Sequence, residues 1–321
     1  MRSHPRTALV AGLVCAAVAV AGCADPDSVP SEASPAPTVT VTETVTAAPS
    51  DPPAEAGSPS DAPSPSSTPT APTSTPEPSA ARDQPAYSTW VLGSVVLPED
   101  ERGFGEVRPT PPSLRNRRYP TEDLLPPPTS GRFESSTGPV TAAVRKRMGE
   151  TWSPACPVGL DELRYVTVSF RGFDGFAHTG ELVVAASEAD GLVQVFRRLY
   201  RAGFPIEEMR LVSTADLDAP PTGDGNDTAA YVCRPVTGET TRFSQHAYGL
   251  AIDVNPFQNP YEKGDVVLPE LASSYLDRGR VRPGMVTADS LVVRAFADIG
   301  WSWGGAWNSL KDYQHFSANG L

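Results

Sequence analysis

The chain has 321 residues, of which 38 are acidic and 26 basic, for a formal net charge of −12. Between residues 24 and 85 lie 15 of its 35 prolines and 20 serines or threonines, but no aromatic residue. Such a segment cannot bury enough apolar surface to offset the entropy of ordering, so residues 23–85 are predicted to be a disordered tether. The acidic balance excludes the basic surface on which nucleic-acid binding depends.

Residues 1–22 have the pattern of an export signal. Arg2 and Arg6 precede an apolar run of 15 residues, which is shorter than the roughly 20 that a membrane-spanning helix needs. The run ends in Val-Ala-Gly-Cys23, which resembles the lipobox of bacterial lipoproteins. That resemblance implies a lipid on Cys23 that holds the exported chain at the outer face of the bacterial cytoplasmic membrane, beside the cell wall. The alternative is an ordinary cleavage site with an incidental cysteine.

Two cysteines remain in the exported part, Cys156 and Cys233. In an oxidising compartment the simplest interpretation is one disulfide that closes a loop of about 77 residues. Two independent buried thiols are the alternative. Zinc binding by this pair is not expected, because neither cysteine has another Cys or a His at ligand spacing.

Residues 86–138 are predicted to be an extended arm that wraps the domain, because prolines at 109–112 and 126–128 interrupt regular elements. Residues 139–321 are predicted to form one α+β domain, with a small, mostly antiparallel sheet flanked by helices. Apolar residues at helical spacing predict helices at 140–152, 187–203 and 287–299. Alternating or β-branched runs predict strands at 163–170, 181–185, 209–212, 229–236 and 248–254.

Asp253 lies in the middle of the apolar run 250–254. A carboxylate buried in a strand is costly unless it is paired, hydrogen-bonded or bound to a metal. His246 lies seven residues earlier, and Gly249 between them allows the chain to turn and bring both side chains together. With His315, these residues make a set of two histidines and one aspartate. That set is typical of a catalytic zinc site whose fourth position is left for water.

Asp312 lies three residues before His315. If this segment turns, its carboxylate lies beside the attacking water and can act as the general base, then return the proton to the leaving amine. Asp253 cannot be that base while it is a metal ligand. Taken singly, each residue has an ordinary alternative: a loop histidine for His246, a solvated turn for Asp312 and packing for His315.

The run from Ser244 to Asp253 reproduces the signature SxHxxGxAxD of the zinc D-alanyl-D-alanine peptidases. The chain therefore resembles the VanY-like D-alanyl-D-alanine carboxypeptidase family. In AIDVNPFQNPY, GWSWGGAW and DYQHF it more closely resembles the L-alanyl-D-glutamate peptidase branch of the same fold. The resemblance covers about 140–316 and implies a hedgehog/DD-peptidase-like fold. The implied zinc ligands are His246, Asp253 and His315, and the implied acid/base is Asp312.

The resemblance also implies that Arg234, upstream of the first ligand, helps to polarise the scissile carbonyl; a surface arginine that closes a turn is the alternative. Ser244 is expected either to contact substrate or to hold the His246 loop. His178, the other histidine of the exported part, is interpreted as structural because no partner pattern accompanies it.

The expected function is zinc-dependent hydrolysis of an amide bond in the stem peptides of peptidoglycan. Either carboxypeptidase action on D-Ala-D-Ala or endopeptidase action on L-Ala-D-Glu fits the residues. The alternative is a non-catalytic zinc module that binds cell-wall peptides or a protein partner. Such a module is expected to have lost a ligand or the base, and none is lost here.

Overall fold

The structure, a computed structural model, describes residues 86–321. The predicted export signal, Cys23 and the tether at 23–85 lie outside the described residues. Among the residues described, no helix is long and apolar enough to cross a membrane. The α-helices are α1 (Ala142–Met148), α2 (Ala189–Ala202), α3 (Thr214–Leu217) and α4 (Leu291–Ala297). The strands are β1 (Ser135–Pro139), β2 (Leu163–Arg171), β3 (Ala177–Ala185), β4 (Ala251–Asp253), β5 (Tyr261–Lys263), β6 (Val266–Leu268), β7 (Ser302–Trp303), β8 (Lys311–Asp312) and β9 (His315–Ser317).

Within residues 86–321 the strands form three small sheets, ordered β1-β2-β3, β4-β9-β7 and β6-β5-β8. All pairs are antiparallel. The predicted α+β class is confirmed, but the chain divides its strands among three sheets rather than one. Residues 135–138, predicted to be extended arm, belong to β1 and pair with β2. They lie beyond the last proline cluster, so their backbone N–H groups are available for a ladder.

The main core lies between the first sheet and helices α2 and α4. The predicted apolar face of α2 is buried, with Leu192, Val195 and Leu199 each 1% exposed. The helix ends where predicted, because Gly203 adopts the left-handed conformation with φ 68°. Phe296 of α4 stacks on Phe316 of β9 at 4.0 Å between ring centroids. The second sheet is therefore attached to the same core, which fixes the position of β9.

Two predicted strands, 209–212 and 229–236, are wrong. Both segments are buried or half-buried, which accounts for their apolar pattern, but 229–236 makes only isolated bridges such as Ala229 to Asp253, and 209–212 makes none. The predicted strand 248–254 is reduced to β4, because Gly249 takes φ 68° and ends a 3-10 helix, Gln245–Tyr248. Helices α1 and α4 are likewise shorter than predicted.

The arm at 86–138 is bound to the rest of the described chain by buried polar contacts. The guanidinium of Arg117 is 1% exposed, and it donates to both carboxylate oxygens of Glu207 and to the backbone oxygen of Asp224. The indole of Trp90 donates to the Asp224 carboxylate at 2.8 Å. These contacts hold the arm in one place against the segment that leads to the site.

Cys156 and Cys233 are joined by a disulfide, with a Cα–Cα distance of 5.9 Å and a sequence separation of 77. On the chain-entropy model, a disulfide that closes a loop of this length stabilises the folded state by about 4 kcal/mol. The backbone N–H of Cys233 also donates to the backbone oxygen of Thr151 at 2.9 Å. The segment just before Arg234 is therefore anchored both covalently and by a hydrogen bond.

Candidate metal centre

Asp253 and His315 meet because they are cross-strand neighbours. Strands β4 and β9 pair so that Asp253 lies opposite His315, although 62 residues separate them in sequence. Residues directly opposite each other in an antiparallel pair point to the same face of the sheet. The Oδ1 atom of Asp253 consequently lies 3.1 Å from Nδ1 of His315.

His246 reaches the same point from the short 3-10 helix that precedes β4. The Ser244 hydroxyl caps this helix and accepts a hydrogen bond from the backbone N–H of His246 at 3.4 Å. Gly249 then reverses the chain, and a Cβ at this position would lie 2.4 Å from the backbone nitrogen of Ala185. Only glycine fits both the positive φ and this close approach. The spacing of the signature thus delivers His246 beside Asp253, with their Nε2 and Oδ2 atoms 3.3 Å apart.

The three side chains form a cluster that can hold a divalent metal ion. Ligand atoms of His246, Asp253 and His315 all lie within 4.8 Å of one another, and both imidazoles are less than 10% exposed. Nδ1 of His246 lies 2.6 Å from the backbone oxygen of Ala230, and Nε2 of His315 lies 3.0 Å from that of Leu321. When these nitrogens donate to the carbonyls, the other nitrogen of each ring keeps its lone pair for a metal. The donor set and its orientation therefore fit a metal ion.

The charges of the cluster also favour a cation. Burial alone would raise the pKa of the Asp253 carboxyl, but the adjacent His246 and His315 outweigh it and hold that pKa well below its usual range. Burial opposes the charged form of His315, yet the hydrogen bond and charge of Asp253 raise the pKa of His315 to about 9. A permanently ionised carboxylate between two imidazoles is an attractive site for a divalent ion, which competes with the imidazole protons.

Asp312 lies at the edge of the cluster and carries a buried Oδ1 atom that has no hydrogen-bond partner among the residues described. Burial raises the pKa of Asp312 to about 7; the nearby positive charge of His315 opposes this effect, and the negative charge of Asp253 adds to it. A carboxyl with one free oxygen and a pKa near neutrality is suited to accept and return a proton.

The Trp-rich and Gly-rich segment before Asp312 holds this part of the site in place. The indole of Trp303 donates to the backbone oxygen of Tyr313 at 2.8 Å, and the Lys311 ammonium donates to the backbone oxygens of Gly305 and Trp307. These bonds cross the chain reversal that separates β7 from β8. They help to fix the directions in which the side chains of Asp312 and His315 point.

Gly304 begins the short 3-10 turn after β7 and lies against Asp312 of β8 and His315 of β9. A Cβ there would lie 2.8 Å from the backbone oxygen of Asp312 and 3.3 Å from Cβ of His315. We expect Gly304→Ala to displace both residues at a cost of about 1–3 kcal/mol, and to weaken metal binding about 5- to 100-fold in a metal titration. Gly138→Ala is the matched control, because nothing lies within 4 Å of a Cβ at that position. Equal affinities in the two variants would contradict the assigned geometry.

Arg234 and Ser244 both line a groove of about 1050 Å³ that opens over the metal cluster. The Arg234 guanidinium makes only long hydrogen bonds, to the backbone oxygen of Pro235 and the hydroxyl of Thr237. Its charge acts on the Asp312 carboxyl, which places it near the base. Ser244 caps the helix that carries His246, as one of the two roles predicted for it requires.

Among the other contributors to the site, Trp307 belongs to the GWSWGGAW motif and Tyr261 to AIDVNPFQNPY, whereas Ala230 had no signal in the sequence. The Ala230 backbone oxygen orients His246, but any residue can supply a backbone oxygen. Tyr261 lies opposite Asp312 in the β5–β8 pair, and Trp307 lies 5.4 Å from the His315 ring. His178 lies apart from the cluster, between the carboxylates of Asp123 and Asp174.

A comparison with known families finds a match over the segment that holds the site. Residues 237–318 match the family model described as D-alanyl-D-alanine carboxypeptidase. The matched segment contains His246, Asp253, Asp312 and His315, so the part of the chain that holds the cluster is similar to this family of peptidases. The resemblance to the D-alanyl-D-alanine carboxypeptidases noted in the sequence is thereby confirmed. No curated protein and no solved structure matches the chain significantly.

Proposed function

We propose that this protein is a zinc-dependent peptidase that hydrolyses an amide bond in the stem peptides of peptidoglycan, on a hedgehog/DD-peptidase-like fold. One observation carries the proposal: the buried cluster of His246, Asp253 and His315 lies in one groove beside the Asp312 carboxyl, whose Oδ1 atom has no hydrogen-bond partner among the described residues. The family match over the same residues supports the substrate class.

The donor set favours zinc among the divalent metals. Two imidazoles and one carboxylate form a three-ligand set that leaves a fourth position open, as in catalytic zinc sites. Bound zinc supplies Lewis acidity, which lowers the pKa of a water molecule to roughly 7 and polarises a carbonyl group. The hydrogen bonds of His246 and His315 to backbone oxygens hold both rings in the orientation that this role requires.

Two side chains of the protein transfer the proton and stabilise the negative charge that develops on the carbonyl oxygen. The Asp312 carboxylate accepts a proton from the attacking water and returns it to the amine that leaves. Its raised pKa allows both steps near neutral pH. The Arg234 guanidinium, which has no carboxylate partner among the described residues, is placed to stabilise negative charge on the carbonyl oxygen during attack.

The predicted export signal and lipidated Cys23 give the enzyme a location, which is part of the proposal. A tether of 62 residues reaches on the order of 45 Å as a flexible coil and about 190 Å as extended polyproline II. Either length carries the catalytic domain from the outer face of the cytoplasmic membrane into the cell wall. The peptidoglycan substrate then lies in the same compartment as the catalytic domain.

Purified muropeptides test the proposal directly. We expect the protein to release a product that mass spectrometry identifies, a chelator to abolish the release, and added zinc to restore it. Loss of one D-Ala indicates carboxypeptidase action, whereas separation of L-Ala from the rest of the stem indicates endopeptidase action. A cleavage that survives complete metal removal would contradict zinc dependence. Zinc-dependent peptide binding without any cleavage would favour the non-catalytic module instead.

A further inference from the structure

Two hairpins contribute walls to the groove above the metal cluster. The first runs from Pro235 to Phe243, which form a bridge, and the backbone N–H of Val236 donates to the oxygen of Arg242 at 2.9 Å. The second is the β5–β6 hairpin, which contributes Tyr261 and Lys263. The groove of about 1050 Å³ exceeds a usual small-ligand pocket of about 300–1000 Å³, so it accommodates several residues of a peptide.

The walls are positively charged, in contrast with the rest of the described chain. Apart from the metal cluster and Asp312, the charged side chains that line the groove are three cations and one acid. Residues 86–321 as a whole hold 29 acidic and 23 basic residues. The lining side chains are Arg234, Arg242, Lys263 and Glu239.

Lys263 is the cation of these walls whose side chain has no hydrogen-bond partner among the described residues. Arg234 has no carboxylate partner among them but donates to Pro235 and Thr237. Arg242 is satisfied by Glu239, to which it donates two hydrogen bonds of 3.0 and 2.6 Å. Over residues 86–321, the Lys263 side chain makes neither a hydrogen bond nor an ion pair, and it is exposed. The hydrogen bonds from Arg242 chiefly, and the charge of Lys263 to a smaller extent, hold the pKa of Glu239 below its usual range. Lys263 thus lines the same groove as the Glu239–Arg242 pair without being tied to it.

The strand register shows where Lys263 lies relative to Asp312. Tyr261 is paired with Asp312, and both side chains line the groove. Side chains two residues apart on a strand share a face, so Lys263 lies on the same face about 6.5 Å further along β5. Lys263 therefore lies on the side of β5 that lines the groove, two residues along the strand from the residue paired with Asp312.

We propose that Lys263 binds a free carboxylate of the substrate, so that the groove selects anionic peptides. This inference rests on the proposed peptidase function. The carboxylate has two possible sources in a stem peptide, the C-terminus and the α-carboxyl of the D-glutamyl residue. The Lys263 ammonium forms no ion pair within residues 86–321, so it is available to either of them.

Kinetics with three synthetic stem peptides, identical except for amidation, test this assignment in the full chain. One has both carboxylates free, one is amidated at the C-terminus and one at the glutamyl α-carboxyl. We expect Lys263→Ala to raise KM for the free peptide about tenfold, with kcat nearly unchanged. The effect should disappear for the peptide whose amidation removes the bound carboxylate, which identifies its source. Lys263→Arg should keep most of the affinity.

Lys146→Ala is the matched control, because Lys146 is an exposed lysine of α1 that does not line the groove. It removes the same charge and should leave KM unchanged. An unchanged KM in Lys263→Ala overturns the inference, and so does an equal rise for all three peptides, which would indicate a structural role.

Calorimetry separates this inference from the proposed function. The free peptide is titrated into Asp312→Asn protein with and without Lys263→Ala. A loss of affinity of about tenfold supports the carboxylate site even if no peptide is cleaved, and equal affinities overturn it. Absence of cleavage in the wild-type protein counts against the peptidase alone, whereas absence of any peptide binding counts against both.

Discussion

Asp312→Asn is expected to lower kcat by about 10²- to 10⁴-fold while metal remains bound, because the amide keeps the shape of the side chain but cannot accept a proton. The ligand atoms of His246, Asp253 and His315 are untouched by this change. Metal content by elemental analysis and hydrolysis of muropeptides give the two readouts. Asp161→Asn is the control, since Asp161 is exposed and lies outside the groove.

The pH profile provides a second readout of the same residue. Burial raises the pKa of Asp312 to about 7, and only the ionised form can act as a base. We therefore expect kcat/KM of the wild-type enzyme to fall as the pH decreases below about 7, and this step to be absent from the residual activity of Asp312→Asn. A fully active Asn variant would falsify the assignment of the base. Loss of metal from that variant would instead make Asp312 a ligand.

Arg117→Met is expected to reduce the free energy of unfolding by about 3–5 kcal/mol, because it leaves the buried carboxylate of Glu207 without its charged partner. The Arg117 guanidinium also lies 4.5 Å from the centre of the Phe257 ring, so the loss extends to packing. Through Phe257, the arm supports the segment that follows β4. We therefore also expect metal affinity to decrease in this variant.

Chemical denaturation of the full chain measures the effect on stability. Arg102→Met is the control, because Arg102 pairs with Asp265 at the surface, with 50% and 77% of the two side chains exposed. An exposed pair of this kind contributes about 0–1 kcal/mol. If both variants lose equally little stability, the arm does not unfold together with the domain.

Local patterns in the sequence predicted several elements correctly. Helix α2 was predicted nearly to its ends, because an amphipathic face and a terminal glycine are both local signals. Strands β2 and β3 were recognised in part from their β-branched residues. The segments 209–212 and 229–236 have a similar apolar pattern but form no strand. Burial produces that pattern whether or not a partner ladder exists, and the partner is distant in sequence.

The candidate ligands could be predicted because their local geometry requires particular residues. Gly249 must lack a Cβ, and Ala251 is fully buried at the next inward position. These requirements fix the spacing between His246 and Asp253, so it can be recognised in the sequence. The role of Lys263 could not be predicted in this way, because an exposed lysine has no distinguishing sequence pattern until its neighbours are known.

By itself, the sequence determined the contrast between a Pro/Ser/Thr-rich segment and a foldable remainder, together with the identities of the candidate ligands. Composition and short-range spacing suffice for both. Only the tertiary structure decided that Asp253 lies opposite His315, that Arg117 holds the arm to Glu207, and that Lys263 faces the groove without a partner. These relations join residues tens of positions apart, and they depend on how strands pair and side chains pack, which no local pattern records.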